Sequence, residues 1–182
     1  FASSEWVYGD QSSSLLSEKS NLILDRNYSL YAQSKIIIEN FLSSNRMFEN
    51  INILRFGIIY GSSVKKNWSL IEKIFEQVKN NNRLIIGSKK TSRRFVHLDD
   101  LISGILLSTK LKNFNILNLT GNEKISLQKI VQTSEKYLKK KIKITEKNPN
   151  KPSIRNVDSS KTQNLLKWRL KIQFKNYIKD LC

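Results

Sequence analysis

The sequence predicts an α/β fold, and three observations carry the prediction. Short apolar runs of strand length alternate along the chain with amphipathic runs of helix length. Several strand-like runs stop at glycine or a Thr-Gly pair, at Gly57, Gly87 and Thr120-Gly121. No repeat or low-complexity tract breaks the alternation. With 182 residues, 39% apolar and 26% charged, the chain is long enough for a packed core. Its composition argues against a disordered tail or a fibre.

Taken in order, Phe1-Ala2-Ser3-Ser4 reads as the end of a strand, and Asp10 to about Asn27 as a polar loop. Leu30 to Ser44 predicts a helix. Leu30, Tyr31, Ile37, Ile38, Phe41 and Leu42 recur at helical spacing, and Ile36 widens the apolar face beyond what one neighbour needs. Ile51 to Phe56 predicts a buried strand ending at Gly57. Ser69 to Val78 predicts a helix with Leu70, Ile71, Ile74, Phe75 and Val78 inward, stopped by Asn80-Asn81-Asn82. Leu84 to Ile86 and Phe95 to Leu98 read as strands, with Asp99 as N-cap of a helix from Leu101 to Ser108. Ile116 to Leu119 is a further strand. Ser126 fits an N-cap, with Ile125 stapled onto Ile130, for a helix to about Leu138. From Lys141 to Thr145, Ile142 and Ile144 alternate with lysines, as in a strand with one wet face. Lys147 to Pro152 reads as a loop, and a last helical region holds Phe174, Tyr177, Ile178 and Leu181.

The formal charge is +17, from 32 basic and 15 acidic residues. Lys supplies 24 of the basic residues and Arg only 8, spread along most of the chain. Lys, Asn and Ile together make 65 residues, a bias that low-GC coding produces on any exposed or apolar position. A nucleic-acid reader leans on Arg and on clustered basic faces, so the charge alone does not argue for nucleic acid. The lone Cys182 excludes a disulfide framework or a Cys-based metal site within the chain, and no metal site is expected. No apolar run approaches the roughly 18 residues of a membrane span, and a cytoplasmic protein without membrane contact is expected.

The chemistry concentrates in Ser3-Ser4-Glu5-Trp6-Val7-Tyr8-Gly9 and, further on, Tyr31-Ala32-Gln33-Ser34-Lys35. Tyr and Lys four apart on a helix share a face. A nearby ammonium favours a phenolate, so such a pair suits general acid/base work near neutral pH. A Ser hydroxyl at a strand's C-terminal end could orient a sugar or alcohol oxygen toward the same phenol, at the strand ends where open α/β sheets bind ligands. An isolated Tyr-x3-Lys pair in a Lys-rich chain is more often a core Tyr beside a surface Lys.

Here the pair stands in a series. It is followed by Leu54-Arg55-Phe56-Gly57-Ile58-Ile59-Tyr60-Gly61 and by Arg93-Arg94-Phe95-Val96-His97-Leu98-Asp99-Asp100-Leu101. Asn118-Leu119-Thr120-Gly121 and Asp158-Ser159-Ser160-Lys161 come later. In this order the segments resemble the extended short-chain dehydrogenase/reductases, in particular the NAD-dependent epimerase/dehydratase group acting on nucleotide sugars. The resemblance implies an incomplete Rossmann-type doubly wound sheet plus a small α/β substrate-binding region. Residues 1–62 would belong to the dinucleotide-binding domain, and 63–182 mainly to the substrate region, with interleaved Rossmann elements near 95–120. It implies Tyr31 as catalytic acid/base and Lys35 as its partner, both also touching the nicotinamide ribose, with Ser4 bonding the reacting sugar hydroxyl. Ser3, Phe56, Gly57 and Ile58 would lie near the cofactor, NAD or NADP. Glu5, Trp6 and Arg93 would face the substrate, with Arg93 on its pyrophosphate. A homodimer through the helix Leu30–Ser44 is expected, unless that face packs on a part outside the chain. His97 and Asp99-Asp100 read as structural.

The departures matter too. Sugar 4,6-dehydratases of this group carry Thr-Asp-Glu or Thr-Ser-Glu where this chain has Ser4-Glu5-Trp6, and an indole cannot replace the Glu as acid/base, so dehydration is disfavoured. Ile58 stands where many members have Asn, and Ser62 replaces the usual Pro. The Gly-x-x-Gly-x-x-Gly turn that seats a dinucleotide pyrophosphate is absent. The chain is therefore expected to be the C-terminal piece of a protein longer by on the order of 100 residues, and to bind the dinucleotide poorly by itself. The expected activity of the parent is nucleotide-sugar epimerisation. The rivals are an NADPH-dependent sugar-nucleotide reductase and a non-catalytic basic binding module on the same fold.

Overall fold

A computed structural model describes residues 1–11, 14–23, 25, 28–45, 48–61 and 68–182. The expected replacement of Pro by Ser62 and the expected boundary between 62 and 63 lie outside the described residues.

Strand β1 (Ala2–Ser4) runs into a one-turn 3-10 helix (Glu5–Tyr8), and β2 (Leu15–Leu16) follows in the region read as loop. Helix α1 (Leu30–Ser44) has the expected limits. Its N-cap is Ser29, whose Oγ accepts from the Ala32 amide at 3.4 Å. Strand β3 (Ile51–Phe56) then leads through Gly57 into β4 (Ile58–Tyr60). Strands β1 and β7 (Phe114–Leu119) flank β3, both parallel to it, in the order β1-β3-β7. Gly57 ends β3 as expected, and it also marks a change of neighbours. Phe56 pairs with Ser4 and Leu119, whereas Ile58 pairs with Phe95 of β6 (Ser92–His97). A side chain at Gly57 would lie 2.8 Å from the Arg94 carbonyl oxygen, so the sheet closes on the bare backbone there.

Helix α2 (Leu70–Asn80) buries Ile71, Ile74, Phe75 and Val78 as the spacing requires, behind the N-cap Ser69, whereas Leu70, expected inward, is exposed in the first turn. Strands β5 (Arg83–Ile86) and β9 (Lys143–Glu146) form a separate parallel pair. Helix α3 (Leu98–Ser108) starts earlier than expected. His97, not Asp99, is its N-cap, with Nδ1 accepting from the Asp99 amide at 3.2 Å, which places Asp99 and Asp100 in the first turn. Strand β8 (Lys124–Ser126) pairs antiparallel with β6 and delivers Ser126 as the expected cap of α4 (Leu127–Leu138). Strand β10 (Asn156–Val157) pairs with β2, and two short helices, α5 (Ser160–Leu166) and α6 (Phe174–Asp180), close the chain.

One buried cluster joins β4, β5, β6, α2, α4 and α6 around Phe75, Phe95, Ile130 and Phe174. A second packs Trp168 with Leu101, Leu117 and Leu119 between α3 and the β1-β3-β7 sheet. A third, smaller one holds Val7, Tyr8, Leu16, Ile36 and Val157. Among the described residues no helix is long and apolar enough to cross a membrane.

Gly121, just past β7, lies tightly against β6. A Cβ there would lie 2.0 Å from the Phe95 carbonyl oxygen, a backbone atom that cannot yield cheaply. Gly121→Ala is expected to lower unfolding free energy by ~1–3 kcal/mol, read from the urea midpoint. An unchanged midpoint would contradict this packing.

Candidate active site

A cleft of about 530 Å³ opens at the C-terminal ends of β1 and β3. Its walls include Ser3, Ser4, Trp6, Tyr31, Phe56, Gly57 and Ile58, so seven of the sequence-predicted site residues meet in one place. Helices α1 and α2 both begin at this cleft, bringing Ser29, Trp68, Ser69 and Leu70 to it.

Ser4 ends β1 and is buried. Its Oγ accepts the Trp6 amide at 3.3 Å, which leaves the hydroxyl proton for a ligand. Tyr31, in the first turn of α1, is half exposed, and no described residue hydrogen-bonds its phenol. The Trp6 indole meets its ring edge-on at 6.3 Å. Lys35, one turn on, donates from Nζ to the Ala2 carbonyl at 2.8 Å and lies 5.5 Å from the Tyr31 ring centre. The Tyr31 phenol and the Ser4 hydroxyl thus both line the cleft, with the Lys35 ammonium beside the Tyr31 ring. Ser3 faces the other way. Its hydroxyl donates to Glu39 of α1, and Glu39 is bound in turn by Arg55 of β3, with Nη2 donating to Oε2 at 2.5 Å. Arg55 also donates to the Tyr8 hydroxyl at 2.8 Å, and Tyr8 donates to Asn118 of β7 at 2.8 Å.

Glu5 and Arg93 are not in the cleft wall. Glu5 has no exposed surface and lies between two guanidiniums, 3.3 Å from Nε of Arg93 and 3.3 Å from Nε of Arg155. Arg93 donates to the Ser92 carbonyl at 2.7 Å, to the Ser153 carbonyl at 2.6 Å, and to the Ser153 hydroxyl. Asp10 stands 3.5 Å from Arg93 and accepts from the Ser153 hydroxyl at 2.6 Å. Burial pushes the Glu5 carboxyl up to about 7, against the pull of Arg155 and Arg93.

Sequence reasoning missed Glu39, Arg55 and Arg155. Glu39 had a signal, because Tyr31, Lys35 and Glu39 repeat every four residues along one helix face. Arg155 had none, since its partners are supplied from the other end of the chain. A second cavity of about 310 Å³ beside Tyr60, His97 and Asp100 holds none of the expected residues. The Asp100 carboxylate there is already taken by the amides of Lys171 and Ile172, at 3.0 and 3.1 Å.

The chain and its fold have known relatives. The chain belongs to the family described as GDP-mannose 4,6 dehydratase, whose profile matches residues 1–181. It is 27% identical over 133 residues to a UDP-glucuronate 4-epimerase of Thermodesulfobacterium geofontis (strain OPF15), covering 71% of this chain and 41% of that protein. Its fold superposes on the UDP-glucuronic acid 4-epimerase from Bacillus cereus, solved with UDP-glucuronic acid and NAD, with a TM-score of 0.81. That match has 24% identity and covers 100% of this chain and 61% of that one. The dTDP-glucose 4,6-dehydratase of Bacillus anthracis str. Ames, solved with NAD, gives a TM-score of 0.82 at 19% identity, over 98% of this chain and 58% of that one. The fold is therefore α/β, with parallel sheets matching part of the Rossmann-like epimerase fold. The chain spans 58–61% of the length of these solved structures.

The Glu5 value sets a pH dependence. The folded carboxyl, near 7, lies above its ordinary value of 4.5, so the folded state holds the proton more tightly. This contribution to stability is full below about 4.5 and is lost as pH rises through about 7, amounting to at most ~3 kcal/mol. Urea unfolding between pH 5 and pH 8 should show wild type losing stability relative to Glu5→Gln as pH rises. Parallel pH profiles for the two would refute it.

Proposed function

We propose that this chain carries the catalytic residues of an NAD(P)-dependent nucleotide-sugar epimerase. The observation that supports this best is the convergence of Ser4 and Tyr31 on one cleft with Lys35 behind them. A nicotinamide, when bound, would accept the hydride as the sugar carbon is oxidised and return it on reduction. Tyr31 moves the proton of the reacting sugar hydroxyl through its phenol oxygen, taking it as the carbon is oxidised and returning it on reduction. Ser4 donates to the same sugar oxygen and keeps it in line with the phenol. Lys35 holds positive charge beside the Tyr31 ring and orients the ribose with it. Phe56, Gly57 and Ile58, with Ser3, would form the part of the cleft wall that holds the nicotinamide. Trp6 replaces the acid/base carboxylate that a dehydratase needs at this point, which favours epimerisation over dehydration.

Residues 1–62, with the elements near 95–120, would serve the dinucleotide, and most of 63–182 the sugar nucleotide. Arg93 is read as the contact for the substrate diphosphate, although here it is bound by Ser92, Ser153 and Glu5. Leu30, Ile37 and Phe41 on α1 are each more than half exposed, which supports a homodimer through that helix.

Tyr31→Phe in the full-length, NAD-loaded protein is expected to cut turnover of a UDP-sugar by at least ~10²-fold. Turnover near that of wild type would remove Tyr31 from the reaction.

A further inference from the structure

Arg155 has no part in the reading above, yet it is among the most deeply buried side chains, at 1% exposure. Its backbone is fixed beside β6, where its amide donates to the Ser92 carbonyl at 3.2 Å. Its guanidinium is held from several sides. Nη1 donates to the Tyr28 hydroxyl at 2.7 Å and lies 3.9 Å from Asp10, while Nε lies 3.3 Å from Glu5. The same guanidinium sits 4.5 Å from the centre of the Trp6 ring. Arg155 therefore backs the indole from the interior, and the same Trp6 lines the cleft.

Trp6 needs such backing. It belongs to a single 3-10 turn, where its backbone makes two bonds: its amide to Ser4 Oγ and its carbonyl to the Gly9 amide at 3.1 Å. Neither bond fixes the side chain. The indole is oriented by what surrounds it: Arg155 on its face, Tyr28 at 6.2 Å and Tyr31 edge-on at 6.3 Å. A planar guanidinium stacked on an aromatic ring and locked by its own polar partners is a rigid support, because its fork is already organised.

We propose that Arg155 is a positioning residue for the cleft: held by Glu5 and Tyr28, it presses the Trp6 indole into place edge-on against Tyr31. The inference rests on the reading of Tyr31 as acid/base. It adds a residue 124 positions away in the chain that acts through Trp6 without touching the sugar.

The test uses the full-length, NAD-loaded protein. Arg155→Lys keeps the charge and loses the planar fork. In that variant acrylamide should quench Trp6 emission more readily, and the change should vanish when Trp6 is replaced by Leu. Turnover of a UDP-sugar should fall roughly 10-fold, within the ~10²-fold that a misplacement of 1 Å can cost, while KM changes less than ~3-fold. In a Trp6→Leu background Arg155→Lys should cost little more, as expected of two residues acting as a unit. If Arg155→Lys does not fold, Glu5→Gln with Arg155→Met removes both charges together and carries the same expectations. Unchanged Trp6 quenching, or the same loss of turnover with and without Trp6, would overturn the proposal. Normal turnover in Tyr31→Phe would instead overturn the Tyr31 reading, and the quenching measurement would still decide whether Arg155 holds Trp6.

Discussion

The Glu39 carboxylate is the joint on which the candidate site depends. It accepts from Ser3 at the end of β1 and from Arg55 on β3, and Arg55 continues the chain to Tyr8 and to Asn118 of β7. One buried acid thus ties α1 to all three strands of the parallel sheet. Its neighbours on the helix face are Lys35 and Tyr31, four and eight residues earlier, and the neighbour of Ser3 is Ser4. Clamping Ser3 to Glu39 therefore sets the register of α1, which carries Tyr31 and Lys35, against the end of β1, which carries Ser4. A buried ion pair is a weak source of net stability, because desolvation consumes most of the attraction. What this one contributes is uniqueness of arrangement, since a slip of α1 by one turn would leave Glu39 or Arg55 buried without a partner.

The two buried charge clusters differ in how fully they are satisfied. Around Glu39 each carboxylate oxygen has a donor. Around Glu5 neither oxygen has a well-aligned donor, nor does Nε of Arg155 have an acceptor, so attraction at 3.3 Å is not converted into hydrogen bonds. The contrast accompanies the Glu5 carboxyl, which burial raises despite two nearby guanidiniums. It also separates the roles: the first cluster fixes the backbone frame of the cleft, and the second sits under its Trp6 wall. The +17 charge takes on a different look in this light. Arg55, Arg93, Arg94 and Arg155 are all paired with carboxylates inside the fold, and the excess charge is carried largely by lysines.

Much of the architecture was legible because it is encoded locally. Ser126 announces α4, and the apolar spacing on α2 matches what is buried apart from the exposed Leu70. Elements defined by their partners were not legible. Strands β2, β4, β8 and β10 are two or three residues long and exist because a neighbour pairs with them. Helix α5 spans seven residues and has no side-chain cap bond to mark its start. Asp99 was misplaced as a cap because His97 can accept through Nδ1, a role that a list of cap-forming residues overlooks. At the site, the motif residues lining the cleft could be named from the sequence. Their support could not, because Glu5 meets Arg155, and Ser3 meets Glu39, only once the chain is folded.

The central claim, that the Glu39–Arg55 pair holds α1 in register on the sheet, is tested most directly by a double-mutant cycle in unfolding free energy. Glu39→Gln and Arg55→Met are made singly and together. The account predicts that each single change costs ~3–5 kcal/mol and that the double costs clearly less than their sum, with a coupling of at least ~1 kcal/mol. Costs that simply add would contradict it, for then the two groups would be buried side by side without holding anything together.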